Sequence, residues 1–337
     1  MVSSDFLNRI NYLSIRKVLN IALVQLSYLL STLLKKPLVW GKPFFISMEP
    51  SAICSLACPQ CPTGTGDVKR SMSFLDLNTF KRIVDETART TTILSMYHQG
   101  EPLLHKFFSD MVRYANSQNI YTLTSTNGQL LTEEVCGSLV EAGLDRIIIS
   151  LDGTDQESYD KYRVGGDFEK VKSGIRLLSE ARRPGRKPYI IIQFLVFKHN
   201  EDQVAEIKKL GKRLGADRVK IKSAQIEYPE SINEWMPVHK KYKRYSRNSK
   251  GDWIRGGKLK NRCRRLWHTT VITTDGMLVP CCFDKLAKYP MGSIGGGSIY
   301  KIWKSREYKD FRSRVFDNRK GIEICKNCTE GMGRIYR

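Results

Sequence analysis

The chain lacks any uninterrupted apolar run of eighteen residues, any low-complexity tract and any internal repeat. Without such runs it is not a multi-span membrane protein. With 41% hydrophobic and 27% charged residues it is neither disordered nor collagen-like. Acids are scarce: 34 Asp+Glu against 56 Lys+Arg in 337 residues leave a formal net charge of +22. The five histidines (98, 105, 199, 239 and 268) form no Ser/His/Asp pattern, and no phosphate-binding loop or paired-carboxylate signal stands out. That sets aside triad hydrolysis, phosphate cradling and two-carboxylate chemistry. Cysteine is what the chain has in plenty, nine in all. An odd number, with no secretory cleavage site after the first apolar stretch, argues against a disulfide framework. Thiolate ligation of a metal group in a reducing, cytoplasmic compartment is the expectation.

Residues 239–265 hold twelve Lys/Arg and one acid, a net +11. Such a patch suits nucleic acid, anionic lipid or a phosphorylated substrate, and equally a solvated linker. Val18–Leu34 is apolar but interrupted by Asn20, Gln25, Ser27, Ser31 and Thr32, and it is bracketed by Arg16-Lys17 and Lys35-Lys36. It predicts a helix rather than a span: packed on the domain, lying at a membrane surface, or a weak anchor. From Pro43, β-rich runs at 44–48, 93–97, 120–125, 146–151, 189–197 and 218–222 alternate with helical stretches. Six such βα units predict an α/β fold with a parallel sheet, open or closed into a complete or partial barrel. The expected organisation is an N-terminal helix over 1–42, a βα domain over 43–223, a basic linker over 224–262 and a small C-terminal unit over 263–337. Within that unit Asp275-Gly276 predicts a two-residue hairpin turn, and Ser298–Val315 predicts one helix.

Cys54-Ser-Leu-Ala-Cys58-Pro-Gln-Cys61 follows the first predicted strand. Three clustered thiolates suit an iron–sulfur cluster or zinc. A structural zinc site needs a fourth ligand, and no nearby His or Cys supplies one; three ligands on a four-iron cluster leave one iron open. Further motifs end the later strands: His98-Gln99-Gly100-Glu101-Pro102-Leu103, Ser125-Thr126-Asn127-Gly128 and Ser150-Leu151-Asp152-Gly153. Each alone reads as a turn. Their order after successive strands is the signal, and over about Phe44–Lys222 it resembles the radical S-adenosylmethionine (SAM) superfamily. The resemblance implies a partial (βα)6 TIM-like barrel in which Cys54, Cys58 and Cys61 hold a 4Fe-4S cluster and SAM chelates the fourth iron. It also implies that Gly100, Glu101 and Pro102 meet the methionine amino end, with Asn127 in the same cofactor site. Ser150, Asp152 and Gln193 would serve ribose and carboxylate contacts, and Arg163 would stand near the SAM carboxylate. Gln99 replaces the first glycine of the family's Gly-Gly-Glu, and Gln60 stands where an aromatic is common. The implied reaction is reductive cleavage of SAM to a 5′-deoxyadenosyl radical that abstracts hydrogen from a substrate C–H bond. Oxidation, cross-linking or epimerisation of a peptide or small molecule would follow, with a ferredoxin or flavodoxin as reductant.

Cys263, Gly276 after twelve intervening residues, Cys281 after four more, and Cys325-Lys-Asn-Cys328 form a second constellation. From about Asn261 to Arg337 this resembles the SPASM-type extension or its shortened twitch form. Five cysteines instead of seven imply one auxiliary 4Fe-4S cluster on Cys263, Cys281, Cys325 and Cys328, with Cys282 an alternative ligand or a spare. A zinc ribbon is the other reading of four such cysteines. Cys136, among Val135, Leu139 and Val140, is expected to be a small buried hydrophobe. His98 adjoins the Gly-Glu motif and is expected to line the pocket. The competing reading of the whole chain is a non-catalytic iron–sulfur or zinc protein that binds nucleic acid through residues 239–265; the retained Gly-Glu and Ser-Leu-Asp-Gly motifs argue against it. The N-terminal helix and the basic segment point instead to an anionic or membrane-associated substrate and to peripheral contact with a membrane surface.

Overall fold

A computed structural model of the chain describes residues 4–182, 187–295 and 297–330. The chain divides into two compact units: one of the residues up to Ile53, Lys69–Leu123 and those from Lys258, the other of Cys54–Val68 and Thr124–Gly257. The βα alternation is carried by β1 (Phe45–Met48), β2 (Ile93–Met96), β3 (Tyr121–Thr126), β4 (Arg146–Ser150), β5 (Tyr189–Val196) and β6 (Arg218–Ser223). Each lies within a residue or so of its expected run. In the first unit β1 pairs parallel with β2, and β2 with the start of β3. In the second, β4, β5 and β6 pair in parallel, Ser150 opposite Gln193 and Val196 opposite Ser223.

Composition explains the pairing. Tyr189–Val196 reads YIIIQFLV, the near-continuous apolar run of a parallel strand covered on both faces. The last strand in its order, β6, alternates Arg218, Lys220 and Lys222 with smaller residues, and charges on such an edge discourage further strand addition. Helices begin where an acceptor side chain caps them. Asp76 accepts from the Thr79 N–H at 2.8 Å, Asp167 from Lys170 at 3.0 Å and Thr132 from Val135 at 3.3 Å.

Of the linker expected over 224–262, residues 224–257 are folded into the second unit. They carry the short helix Ile232–Trp235 and an antiparallel pair, β7 (Tyr245–Arg247) and β8 (Trp253–Arg255). Ile226, Ile232, Trp235 and Tyr245 share a buried cluster with Tyr162, Phe197 and Cys58. In the first unit β9 (Thr269–Ile272) lies parallel to β1, with Phe45 opposite Thr269, and β10 (Met277–Val279) and β11 (Gly292–Ser293) follow antiparallel.

Two local expectations change. The β9–β10 connection is a type I turn with a left-handed glycine bulge. Gly276, at φ +75°, donates to Thr273 O at 2.9 Å while Thr273 N–H donates to Met277 O at 3.0 Å. The helix expected over 298–315 is two, Ile299–Trp303 and Arg306–Asn318, because Ser305 accepts the Tyr308 N–H and starts a new one.

Two mid-helix glycines test the packing in opposite directions. A Cβ on Gly174, in Phe168–Ala181, would lie 2.5 Å from Leu131 Cβ and 2.9 Å from its carbonyl oxygen, whereas one on Gly137, in Glu133–Glu141, meets nothing within 4 Å. Helix propensity favours alanine over glycine by roughly 1 kcal/mol, and overpacking costs roughly 1–3 kcal/mol. Gly137→Ala is therefore expected to raise the urea midpoint of the apo-protein and Gly174→Ala to lower it. A rise in both would show that Leu131 does not confine Gly174.

Candidate active site

The loop after β1 has little regular structure, so its cysteines depend on specific contacts. Within the second unit Cys61 N–H donates to Cys58 O at 3.1 Å, and Ala57 N–H to Val164 O at 3.1 Å. Gln60 is buried and fully engaged: its Oε1 accepts the N–H groups of Glu227 (2.8 Å) and Tyr228 (3.1 Å), and its Nε2 donates to Ser231 Oγ at 2.7 Å. The glutamine that departs from the family's aromatic thus staples the cysteine loop to residues 227–231. Nothing in the local sequence signals this, because its partners lie about 170 positions away.

Two N–H donors are aimed at thiols of this loop. Asn127 Nδ2 lies 3.8 Å from Cys54 Sγ and 3.3 Å from Ser55 Oγ, and Asn127 Oδ1 accepts the Gln129 N–H. Arg163 Nη1 lies 3.8 Å from Cys58 Sγ. Burial pushes the Cys58 thiol up to about 11, Arg163 works against that, and charge on Cys61 and Cys54 adds to it. Arg163 is held by Asp152, which has no exposed surface: Arg163 Nε donates to Asp152 Oδ2 at 2.6 Å, and Leu195 N–H donates to Oδ1 at 2.6 Å. Burial alone would lower the Arg163 pKa; Asp152 and Cys58 more than reverse that and keep it charged. Asn200 Nδ2 fixes the same turn by donating to Asp152 O at 2.8 Å. Asp152 therefore spends both carboxylate oxygens inside the protein, on Arg163 and on β5. Ser150 and Gln193 are direct neighbours across β4 and β5, Ser150 buried and Gln193 half-buried.

In the first unit the Gly-Glu turn packs on the residues that immediately precede Cys54. Gly100 has φ +68°, and a Cβ there would lie 2.3 Å from Ser51 O and 2.8 Å from Ile53 O, so only glycine allows this approach. Glu101 and Pro102 are buried; Glu101 N–H donates to Ile53 O at 2.7 Å, and its Oε1 accepts the Leu103 N–H at 3.1 Å. Glu49, fully buried at the end of β1, binds Arg70 and accepts the N–H groups of Gln99 and Thr274 at 3.1 Å each. Gln99, the other departure, thus contributes its backbone N–H, which any residue there supplies. Burial pushes His98 down to about 3, so it is neutral, beside Arg70, Asp284 and Lys285.

The C-terminal cysteines gather in the same unit. Cys281 is deeply buried and feels charge on Cys282, Cys263 and Cys328, while Cys263 and Cys325 share with Cys328 the influence of Arg319. Arg319 is itself buried; it donates to Cys328 Sγ at 3.4 Å, Arg262 O at 2.6 Å and Glu330 O at 3.2 Å. Arg265 donates to Cys282 Sγ at 3.3 Å and to Glu330 at 3.2 Å. Burial and neighbouring thiols raise Cys263, Cys281, Cys325 and Cys328; Cys263 reaches about 12. Sequence reasoning missed Arg265 and Arg319, which are hidden among 56 basic residues. Cys136 is buried among apolar neighbours, with its thiol 3.7 Å from Gly174 O.

A parallel α/β protein whose strands lead into a cysteine triad, a Gly-Glu turn and a buried arginine, followed by a hairpin with a second cysteine set, belongs to the partial-barrel, cluster-binding class. Family comparison matches residues 48–211 to the Radical SAM superfamily and residues 263–329 to the SPASM iron–sulfur cluster-binding domain. The chain belongs to the radical SAM superfamily and carries a SPASM extension. It is 31% identical over 175 residues to an AdoMet-dependent heme synthase of Methanosarcina barkeri, covering 52% of this chain and 48% of that protein. The match thus spans about half the length of that relative. A tungsten-containing aldehyde ferredoxin oxidoreductase cofactor-modifying protein of Pyrococcus furiosus is 25% identical over 300 residues, 80% of this chain and 83% of that protein. In fold the chain resembles Streptococcus suis SuiB bound to S-adenosylmethionine, with TM-score 0.64 and 16% identity over 88% of this chain and 74% of that one.

The family's cofactors are a 4Fe-4S cluster with SAM in the first domain and iron–sulfur ligation in the second. The residues present fit them. Among the described residues no three His, Cys, Asp or Glu side chains are assembled for a single metal ion. N–H donors point at Cys54 and Cys58 of the triad and at Cys328 of the C-terminal set, the outer-shell support that thiolate ligands of a cluster receive.

The Arg163–Asp152 pair yields a direct prediction. Arg163→Met leaves a fully buried carboxylate without its partner, which is expected to destabilise the apo-protein by roughly 3–5 kcal/mol. Adding Asp152→Asn should recover part of that loss, since the remaining group is neutral. Urea unfolding of both variants checks this, and a single-variant cost under about 1 kcal/mol would mean the pair behaves as a surface one.

Proposed function

We propose that this protein is a radical SAM enzyme acting on a C–H bond of a peptide or small molecule. Cys54, Cys58 and Cys61 hold its SAM-binding 4Fe-4S cluster, and Cys263, Cys281, Cys325 and Cys328 hold one auxiliary 4Fe-4S cluster. The observation that carries the reading is the pair of N–H donors aimed at the triad, Asn127 at Cys54 and Arg163 at Cys58. When bound, the cluster and SAM supply one-electron reductive cleavage that yields a 5′-deoxyadenosyl radical able to take hydrogen from carbon.

The chain's own residues bind, orient and exclude water. Gly100 lets backbone approach backbone at the turn that presents Glu101 and Pro102 to the methionine amino end. Ser150 and Gln193 are the ribose and carboxylate contacts. Arg163 keeps a positive charge beside Cys58 and the SAM carboxylate, and Asp152 acts through Arg163 by fixing its direction. Cys281, the deeper of the adjacent pair, is the auxiliary ligand; Cys282, bound by Arg265, is not. A ferredoxin or flavodoxin supplies the electron in a cytoplasmic setting. The named relatives, a heme synthase and a cofactor-modifying protein, support a small-molecule substrate as readily as a peptide.

Anaerobically reconstituted protein reduced with dithionite should convert SAM to 5′-deoxyadenosine, and Cys58→Ala should abolish the conversion. SAM left intact by the reduced wild type, or cleaved at full rate by Cys58→Ala, overturns the reading. The first outcome would return the chain to the class of non-catalytic metal proteins, with nucleic acid bound at residues 239–265.

A further inference from the structure

The N-terminal helices α1 (Ser4–Ile10) and α2 (Ile15–Leu34) invert the usual arrangement of a surface helix. Helix α2 buries Lys17, Asn20, Ser27 and Ser31 alongside Val24. Its outward stripe is aliphatic, Ile15, Leu19, Leu23, Leu26, Leu29 and Leu33, with exposures from 46% to 81%. Phe6, Leu7 and Ile10 of α1 are exposed as well. The stripe runs the length of a 20-residue helix, roughly 30 Å at 1.5 Å per residue. Soluble proteins seldom leave so long an apolar face uncovered.

Hydrogen bonds inside the first unit lock this rotation. Asn20 donates to Lys42 O at 3.0 Å and accepts the Lys42 N–H at 2.9 Å. Ser31 Oγ donates to Leu38 O at 3.0 Å and accepts the Leu38 N–H at 2.9 Å. Lys17 Nζ donates to Asn119 O at 2.5 Å. On the flank, Gln25 accepts from Arg264 at 2.9 Å and Tyr28 packs edge-on against Trp267. A Cβ on Gly41 would lie 2.4 Å from Val24 Cγ2, so the following segment seats directly on the helix. The leucine face is therefore presented outward by fixed contacts.

We propose that this face docks on the surface of an anionic lipid bilayer, with α2 lying in the interfacial plane. Charge selects that occupant: Arg16 at one end and Lys35 and Lys36 at the other are exposed, on a chain of net charge +22. Exposed Trp40, just beyond the helix, is an amphipathic ring of the kind that settles at headgroup level. A second copy of the chain carries the same net charge of +22, which repels its approach, whereas an anionic surface attracts it. By length and composition α2 could cross a membrane. Crossing would break the five bonds of Lys17, Asn20 and Ser31 and carry a lysine into hydrocarbon, so the helix lies on the bilayer.

Flotation of the full-length reconstituted protein with lipid vesicles tests this without reference to SAM cleavage. It should float with phosphatidylcholine vesicles containing phosphatidylglycerol, several-fold less with phosphatidylcholine alone, and be released by alkaline carbonate. The double variant Leu23→Glu/Leu26→Glu changes only exposed positions and should keep the wild-type circular dichroism. Its partition onto anionic vesicles is expected to fall by about tenfold, since apolar area is replaced by charge of the repelled sign. Val238→Glu, equally exposed in the second unit, should partition as wild type. The proposal is overturned if the wild type floats with neither vesicle, or if the double variant floats undiminished. Resistance to carbonate would make α2 a span, and a wild-type dimer that the double variant splits would assign the face to a second copy; either result also overturns it.

Discussion

The cysteine loop after β1 is positioned by a buried ion pair. Asp152 has no exposed surface, and Arg163, which touches both it and Cys58, is largely enclosed. Taking two such charges out of water is expensive, and a hydrophobic pair of similar volume would often be at least as stable. Stability alone therefore does not explain the pair. Asp152 belongs to the turn after β4 and is tied to β5 through Leu195, so the guanidinium is referred to two rigid strands. The loop then meets that fixed guanidinium at Cys58. Gln60 does the same for the far end of the loop by binding residues 227–231.

Both cysteine sets share one electrostatic pattern. Burial raises Cys58 in the triad and Cys263, Cys325 and Cys328 in the C-terminal set, which opposes charge on them, and a buried arginine beside each set, Arg163 or Arg319, works against burial. Thiols of this kind stay protonated until a metal displaces the proton, so metal binding and local order are coupled. Arg163 serves the triad, while Arg319 and Arg265 serve the C-terminal cysteines. Part of the basic excess is thus an internal counter-charge for thiolates.

Much of this was legible in the sequence. The strands β1 to β6 were readable from short apolar runs at regular spacing. The site motifs were readable because they follow strands in order. What was not legible depended on long-range partners. Thr269–Ile272 looks like any short β-run, and only folding shows that it extends the β1 edge more than two hundred residues away. Residues 224–257 read as a linker because their charge outweighs a few scattered apolar residues, yet Ile226, Ile232 and Trp235 anchor them. In α2 the polar interruptions lowered the apparent hydrophobicity; in the fold they mark the buried face, since Asn20 and Ser31 find backbone partners there.

In the proposed function each cysteine set holds its own 4Fe-4S cluster, the triad with an open iron and the C-terminal four fully ligated by protein. Mössbauer spectroscopy of 57Fe-reconstituted protein, with zinc and iron counted on the same sample, tests it most directly. About eight irons per chain in two four-iron clusters are expected. The Cys54/Cys58/Cys61 triple alanine variant should keep about four, in a cluster whose spectrum does not respond to SAM. A triple variant that is colourless and carries one zinc per chain would contradict it.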